Sequence, residues 1–168
     1  MKKLIALAAV LILSSCQQHK IGFVDYAELM DGYQRKKDLE ASYQTRAQAY
    51  ARKRDSISQT FQLEAQALQT KTRNMPQEKA QEEFSTLQQR GQIIGQQLQQ
   101  EEQFMQQAGQ QKMDSLISDV KARIQEYGKA NGYSYILAGG DGGSVLFGEE
   151  GQNVTDDVLR LLNEEYKK

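Results

Sequence analysis

Apolar positions change their period along the chain, and each change marks an element. From Tyr26 to Ala130 they recur at alternating steps of four and three, the spacing that lines one face of a helix. The first half of this stretch carries a seam through Leu29, Tyr33, Lys36, Glu40, Tyr43, Ala47, Tyr50, Arg54, Ile57, Phe61, Glu64, Leu68, Lys71 and Met75, with five polar breaks. The second half continues it through Phe84, Leu87, Ile94, Leu98, Met105 and Ala108, with Gly91 and Glu101 interrupting. From Met113 the stripe resumes one residue out of phase, as Ile117, Val120, Ile124 and Tyr127, a shift that relaxes supercoiling.

Pro76, the only proline, falls between the halves. It lacks an N–H and is tolerated in a first helical turn but not inside a helix. The prediction is an antiparallel hairpin of two helices, Ala27 to Asn74 and Gln77 to Ala130, with Asn74 and Gln77 forming a capping box. A single kinked helix is the alternative. At ~1.5 Å per residue the two helices would run roughly 70 and 80 Å, longer than a domain of this mass requires, so they form a projecting arm.

Outside the arm the period shortens. Ile21 to Asp25 reads as a strand, and Tyr133 to Ala138 and Ser144 to Phe147 as a second and third, joined into a hairpin by Gly139 to Gly143. Val154, Val158, Leu161 and Leu162 form the stripe of a last helix, introduced by Thr155, Asp156 and Asp157. The fold class is α+β, a long coiled-coil arm (26–130) on a small sheet body (21–25 and 131–168). A body of this size is below the ~70 to 80 residues at which small scaffolds cease to need support, and self-association is the available support.

Composition adds compartment. Lys2 and Lys3 precede an apolar run from Leu4 to Leu13, which reads as a secretory signal over residues 1–15. Leu13-Ser14-Ser15-Cys16 resembles the bacterial lipobox, which implies lipidation at Cys16 and a tether over 16–20. An ordinary signal with a chance cysteine is the alternative. Cys16 is the only cysteine, so no internal disulfide is possible. Without Lys2 and Lys3 the 21 basic residues become 19 against 22 acidic ones, a formal charge of −3 that makes no case for nucleic acid.

Catalytic chemistry is not legible. The only histidine, His19, lies in the tether, and no cluster has metal-ligand spacing. The expectation is no enzyme, no cofactor and no metal. Gly139 to Gly143 is not followed by the Gly-Lys-Ser/Thr of a phosphate loop. Half of the residues from Gln88 to Gln111 are glutamine, which favours helix without adding charge. Arg46, Arg52, Lys53 and Arg54 read as a solvated face, with anionic lipid or an acidic client as the alternative. Asn153-Val154-Thr155 matches an N-glycosylation sequon, although capping accounts for it better. Asp55-Ser56-Ile57 and Asp114-Ser115-Leu116 look like bacterial O-glycosylation acceptors at Ser56 and Ser115.

The order of a signal, the strand Lys20 to Asp25, a long helical hairpin, Asn131 to Leu137, a glycine-rich turn and Asn153 to Leu159 resembles the Skp/OmpH-like family of periplasmic chaperones. The resemblance spans the mature chain as a single domain (21–168). It implies a homotrimer, joined through its sheets, whose arms hold unfolded outer-membrane proteins in the periplasm without ATP. Tyr50, Phe61, Phe84 and Leu98 are the arm residues expected to meet clients. The chain departs from many family members in being slightly acidic and lipid-anchored. The other reading is a structural envelope lipoprotein whose arm serves as spacer or adaptor.

Overall fold

The computed structural model describes residues 19–167; the expected signal, Cys16 and the tether up to Gln18 lie outside them. Strand β1 (Ile21–Asp25) runs into helix α1 (Tyr26–Gly32), followed by α2 (Gln34–Thr72), α3 (Gln77–Ala130), β2 (Tyr135–Gly139), a 3-10 turn (Glu150–Gln152) and α4 (Thr155–Tyr166). The chain divides into two units, one of residues up to Lys36 and from Ile117 on, the other Lys37–Leu116.

In the first unit β1 and β2 form a two-stranded parallel sheet, in register from Ile21 opposite Tyr135 to Asp25 opposite Gly139. On the other side of β1 the chain at Asn153 makes a single bridge to Phe23, and Val154 N–H donates to the Phe23 carbonyl at 2.9 Å. Val24, Leu29, Tyr33, Val120, Val154, Val158 and Leu162 are buried together in this unit's core, and Leu161 is half-buried. The stripe expected of the last helix is therefore the face that packs. Its N-cap is Val154, which gives no side-chain bond, and the acceptor comes from Asn153, one residue earlier. The Asn153 side-chain oxygen accepts from Thr155 N–H at 3.0 Å and from the Thr155 hydroxyl at 2.6 Å, while that hydroxyl accepts from Asp25 N–H at 2.8 Å. Thr155 is 2% exposed, so these bonds satisfy a polar group withdrawn from water.

Two local expectations are corrected. The first long helix is broken at Tyr33, whose backbone is extended, so that α1 and α2 are separate. A Cβ at Gly32 would meet the Leu159 methyl groups, so any larger residue there would require the Leu159 side chain to shift. Asn163 of α4 bridges the break, accepting from Gln34 N–H at 2.9 Å and donating to the Gly32 carbonyl at 3.3 Å. The hairpin over Tyr133 to Phe147 is not formed either. Gly140 and Gly142 adopt positive φ, and Ser144 and Val145 N–H both donate to the Ala138 carbonyl at 2.8 and 3.1 Å. That turn is too tight to lead into a ladder; Val145 makes one bridge to Gly139 and the chain leaves the sheet.

The second long helix runs over the expected Gln77–Ala130, opened by Pro76, whose carbonyl accepts from Ala80 N–H at 3.1 Å, but no capping bond joins Asn74 and Gln77 among the described residues. Among the described residues no helix is long and apolar enough to cross a membrane.

Candidate functional site

Unit Lys37–Leu116 is an antiparallel pair, the body of α2 against the first forty residues of α3. Ala47, Tyr50, Ile57, Phe61, Leu68, Leu87, Ile94, Leu98, Met105 and Ala108 are all withdrawn from solvent to some degree, at the 4-3 spacing read from sequence. Gly91 and Glu101, which looked like interruptions, belong to the packing. A Cβ at Gly91 would stand 3.4 Å from the Phe61 ring, ordinary van der Waals contact, so Phe61 packs over Gly91. Tyr43 packs over Gly109, where a Cβ would stand 2.9 Å from its ring. Glu101 takes Lys53 from the other helix at 2.5 Å, Glu64 takes Arg90 at 3.0 Å, and Glu83 takes Lys71 at 2.7 Å.

Three of the polar breaks, Glu64, Lys71 and Glu101, are thus met by opposite charges from the other helix, whereas Arg54 pairs with its neighbour Asp55. All six groups are at least a third exposed, so each pair contributes at most about 1 kcal/mol, but together they set the register of the two helices. Arg90 also lies over the Phe61 ring at 5.6 Å.

The four client-facing candidates divide. Tyr50 is half-buried and its hydroxyl donates to the Leu98 carbonyl at 2.8 Å; Phe61 and Leu98 are half-buried beside it in the seam. Phe84 is 43% exposed. More open than Phe84 are three residues outside the seam pattern: Leu63 at 66%, Ile93 at 55% and Phe104 at 73%. Their signal in the sequence was their failure to keep the 4-3 spacing, since an apolar residue off the seam of a two-helix pair faces solvent. Ser56 and Ser115 are exposed, whereas Leu116, third residue of the second acceptor pattern, is 1% exposed. Beside Glu40, the residues Leu39, Tyr43, Met105, Gly109 and Met113 line an open groove of about 580 Å³.

The first unit carries a second apolar surface. Ile21, Tyr135 and Leu137 are 43%, 61% and 42% exposed, and Leu146 and Phe147 are 99% and 87% exposed in the loop beyond the sheet. Apart from the bridge of Gly139 to Val145, strand β2 has β1 on one side only among the described residues, so the edge along Tyr135 to Leu137 is open to a further strand. Nearby, the glycine turn closes on a carboxylate of its own chain: a Cβ at Gly140 would fall within 2.4 Å of both Asp25 carboxylate oxygens. The Asp25 carboxylate accepts from Glu28 N–H at 3.0 Å and so caps α1.

His19 sits on the surface with Nδ1 3.1 Å from the Ser134 hydroxyl. Lys20 donates to the Asn131 carbonyl at 3.0 Å and stands 3.9 Å over the Tyr133 ring, which stacks on Tyr127. These contacts hold the start of β1 against the loop before β2. Burial raises the Tyr127 pKa above the ordinary tyrosine value, aided by Asp157, whose carboxylate accepts from the Tyr127 hydroxyl at 3.3 Å. No group of acidic, histidine or cysteine side chains able to hold a metal occurs among the described residues.

Compared with known proteins, residues 20–162 match the family model of outer membrane protein (OmpH-like). No curated protein matches significantly. Among solved structures, a protein of Caulobacter crescentus CB15 assigned as an outer membrane chaperone (OmpH-like) superposes with a TM-score of 0.76 at 17% identity, over 88% of this chain and 85% of its own. That likeness carries the fold. With the family model matching most of its length, the chain belongs to the OmpH-like outer membrane protein family.

Proposed function

We propose that this chain is an ATP-independent periplasmic holdase that binds unfolded outer-membrane proteins along its helical pair and keeps them from aggregating. The observation that carries the reading is the set of open apolar residues, Leu63, Phe84, Ile93 and Phe104, on a pair of helices otherwise covered with polar side chains. Each is a small, separate contact. Several of them spread over long helices retain an unfolded chain without selecting one sequence. Family membership and the chaperone assignment of the Caulobacter protein point the same way.

The chain works as a homotrimer anchored by a lipid on Cys16. Self-association is supported by the exposed Ile21, Tyr135, Leu137, Leu146 and Phe147 and by the open edge of β2, a surface too apolar to leave in water on so small a sheet. The lipid anchor rests on the lipobox-like Leu13 to Cys16.

The test is suppression of aggregation when a urea-unfolded outer-membrane β-barrel is diluted into the mature chain, alongside mass in solution by light scattering. A trimer that suppresses aggregation at stoichiometric amounts is the expected result. Replacing Arg54 to Gln97 with a short turn should preserve the trimer and abolish protection. Protection undiminished in the shortened trimer would move the client off the helices and favour the spacer reading.

A further inference from the structure

Helix α3 carries, away from its seam, a stripe with no charge on it. Ile93, Gln97, Gln100, Phe104, Gln107 and Gln111 fall within about 40° of one line along the helix and span roughly 27 Å at 1.5 Å per residue. All six are exposed. No hydrogen bond engages the four glutamine side chains among the described residues, so each presents two donors and an acceptor to whatever lies on the helix. The neighbouring charges are mostly spoken for: Arg90 by Glu64 and Glu101 by Lys53.

We propose that this stripe is a docking track for uncharged, extended stretches of unfolded polypeptide, held by glutamine amides pairing with backbone N–H and C=O groups and by Ile93 and Phe104 taking apolar side chains. The proposal rests on the holdase reading and names how that site recognises its client. Complementarity decides the occupant. A neutral track bearing donors and acceptors alike matches a peptide backbone, which has one of each per residue, and offers nothing to an anionic lipid or nucleic acid. An unfolded β-barrel supplies such stretches, because its strands alternate apolar and polar residues. Binding through the track is therefore insensitive to salt, since no counterions are released and no charge pair is screened.

The experiment uses the full mature chain and a small outer-membrane β-barrel unfolded in urea. A photo-crosslinking amino acid is placed at Phe104 and, for comparison, at Leu63, an open apolar residue off the stripe. The triple variant Gln97→Glu, Gln100→Glu, Gln107→Glu puts charge on the track while keeping helix propensity, and circular dichroism verifies that helix content is unchanged. Expected are crosslinks at Phe104, affinity lost by about tenfold in the triple variant, and a wild-type Kd that moves less than about twofold between low and high salt. Full affinity in the triple variant, or crosslinks at Leu63 alone, would overturn the track and leave the holdase standing. A changed oligomer mass in the triple variant would put a second copy of the chain on the stripe, which also overturns it. If the wild type neither crosslinks nor protects, the holdase reading falls with the track.

Discussion

Asn163→Ala tests the joint at which α1 gives way to α2. The side chain does two things at once: its oxygen accepts Gln34 N–H at the first residue of α2, and its amide donates to the last carbonyl of α1. The first is a capping bond, supplied from 129 residues further along the chain, and losing a cap costs about 0.5–2 kcal/mol. The second is longer, at 3.3 Å, and a neutral bond of this kind contributes about 0.5–1 kcal/mol. Asn163 is only half-buried, so water partly compensates both groups, and a total near 2 kcal/mol is expected. For a chain of this length that is a fall in Tm of about 4–8 °C at fixed protein concentration. Thermal unfolding followed by circular dichroism measures it. Asn163→Asp keeps the acceptor for Gln34 and should lose about half as much. If Asn163→Ala moves Tm by less than about 1 °C, or Asn163→Asp is the worse of the two, the joint is held by the packing of Tyr33 and Leu159 alone.

Gly95 lies within α3 with nothing within 4 Å of where a Cβ would stand, so Gly95→Ala should stabilise by about 0.8–1 kcal/mol in the same melt; a decrease would mean the glycine is needed for bending. The Tyr26 hydroxyl is buried without a partner among the described residues, and Tyr26→Phe should gain roughly 1 kcal/mol in denaturant unfolding; a loss would reveal an unseen partner. Burial raises the pKa of both Tyr26 and Tyr127 above 10.0. The folded form therefore holds these protons more tightly than the unfolded one. Their contribution is complete below the ordinary tyrosine value and is lost as pH rises through the raised one, so stability should be flat at neutral pH and fall above about 10, less steeply in Tyr127→Phe. Cys16→Ser should release the protein from membranes into the soluble periplasmic fraction; retention of acylated protein would refute lipidation at this position.

The long helices were legible because their information is local: period, propensity and one proline suffice. The joint at Tyr33 was not, because the seam runs through Leu29 and Tyr33 without a gap and the side chain that caps the break lies on the last helix. The missing hairpin has a related cause. Ser144 to Phe147 has strand composition, but the positive φ of Gly140 and Gly142 folds two successive N–H groups onto a single carbonyl of Ala138. At the candidate site the spacing located the seam, and Tyr50, Phe61 and Leu98 lie in it. It did not reveal that Phe61 packs over Gly91 and Tyr43 over Gly109, because a glycine scores as a break in any apolar count.

Strand β1 is the first part of the described chain to emerge from any N-to-C process, and its partner β2 follows about 110 residues later. At 5–20 residues per second the interval is about ten seconds, whereas helices form within microseconds. Closure of the sheet must therefore wait for both long helices, and the last helix follows it. Throughout that wait Ile21, Phe23 and Val24 are an unpaired strand edge, five residues long and interrupted by Gly22. Shortness and the glycine make it a poor template for pairing between nascent copies. A longer, continuous β1 would strengthen the finished sheet and endanger its own synthesis.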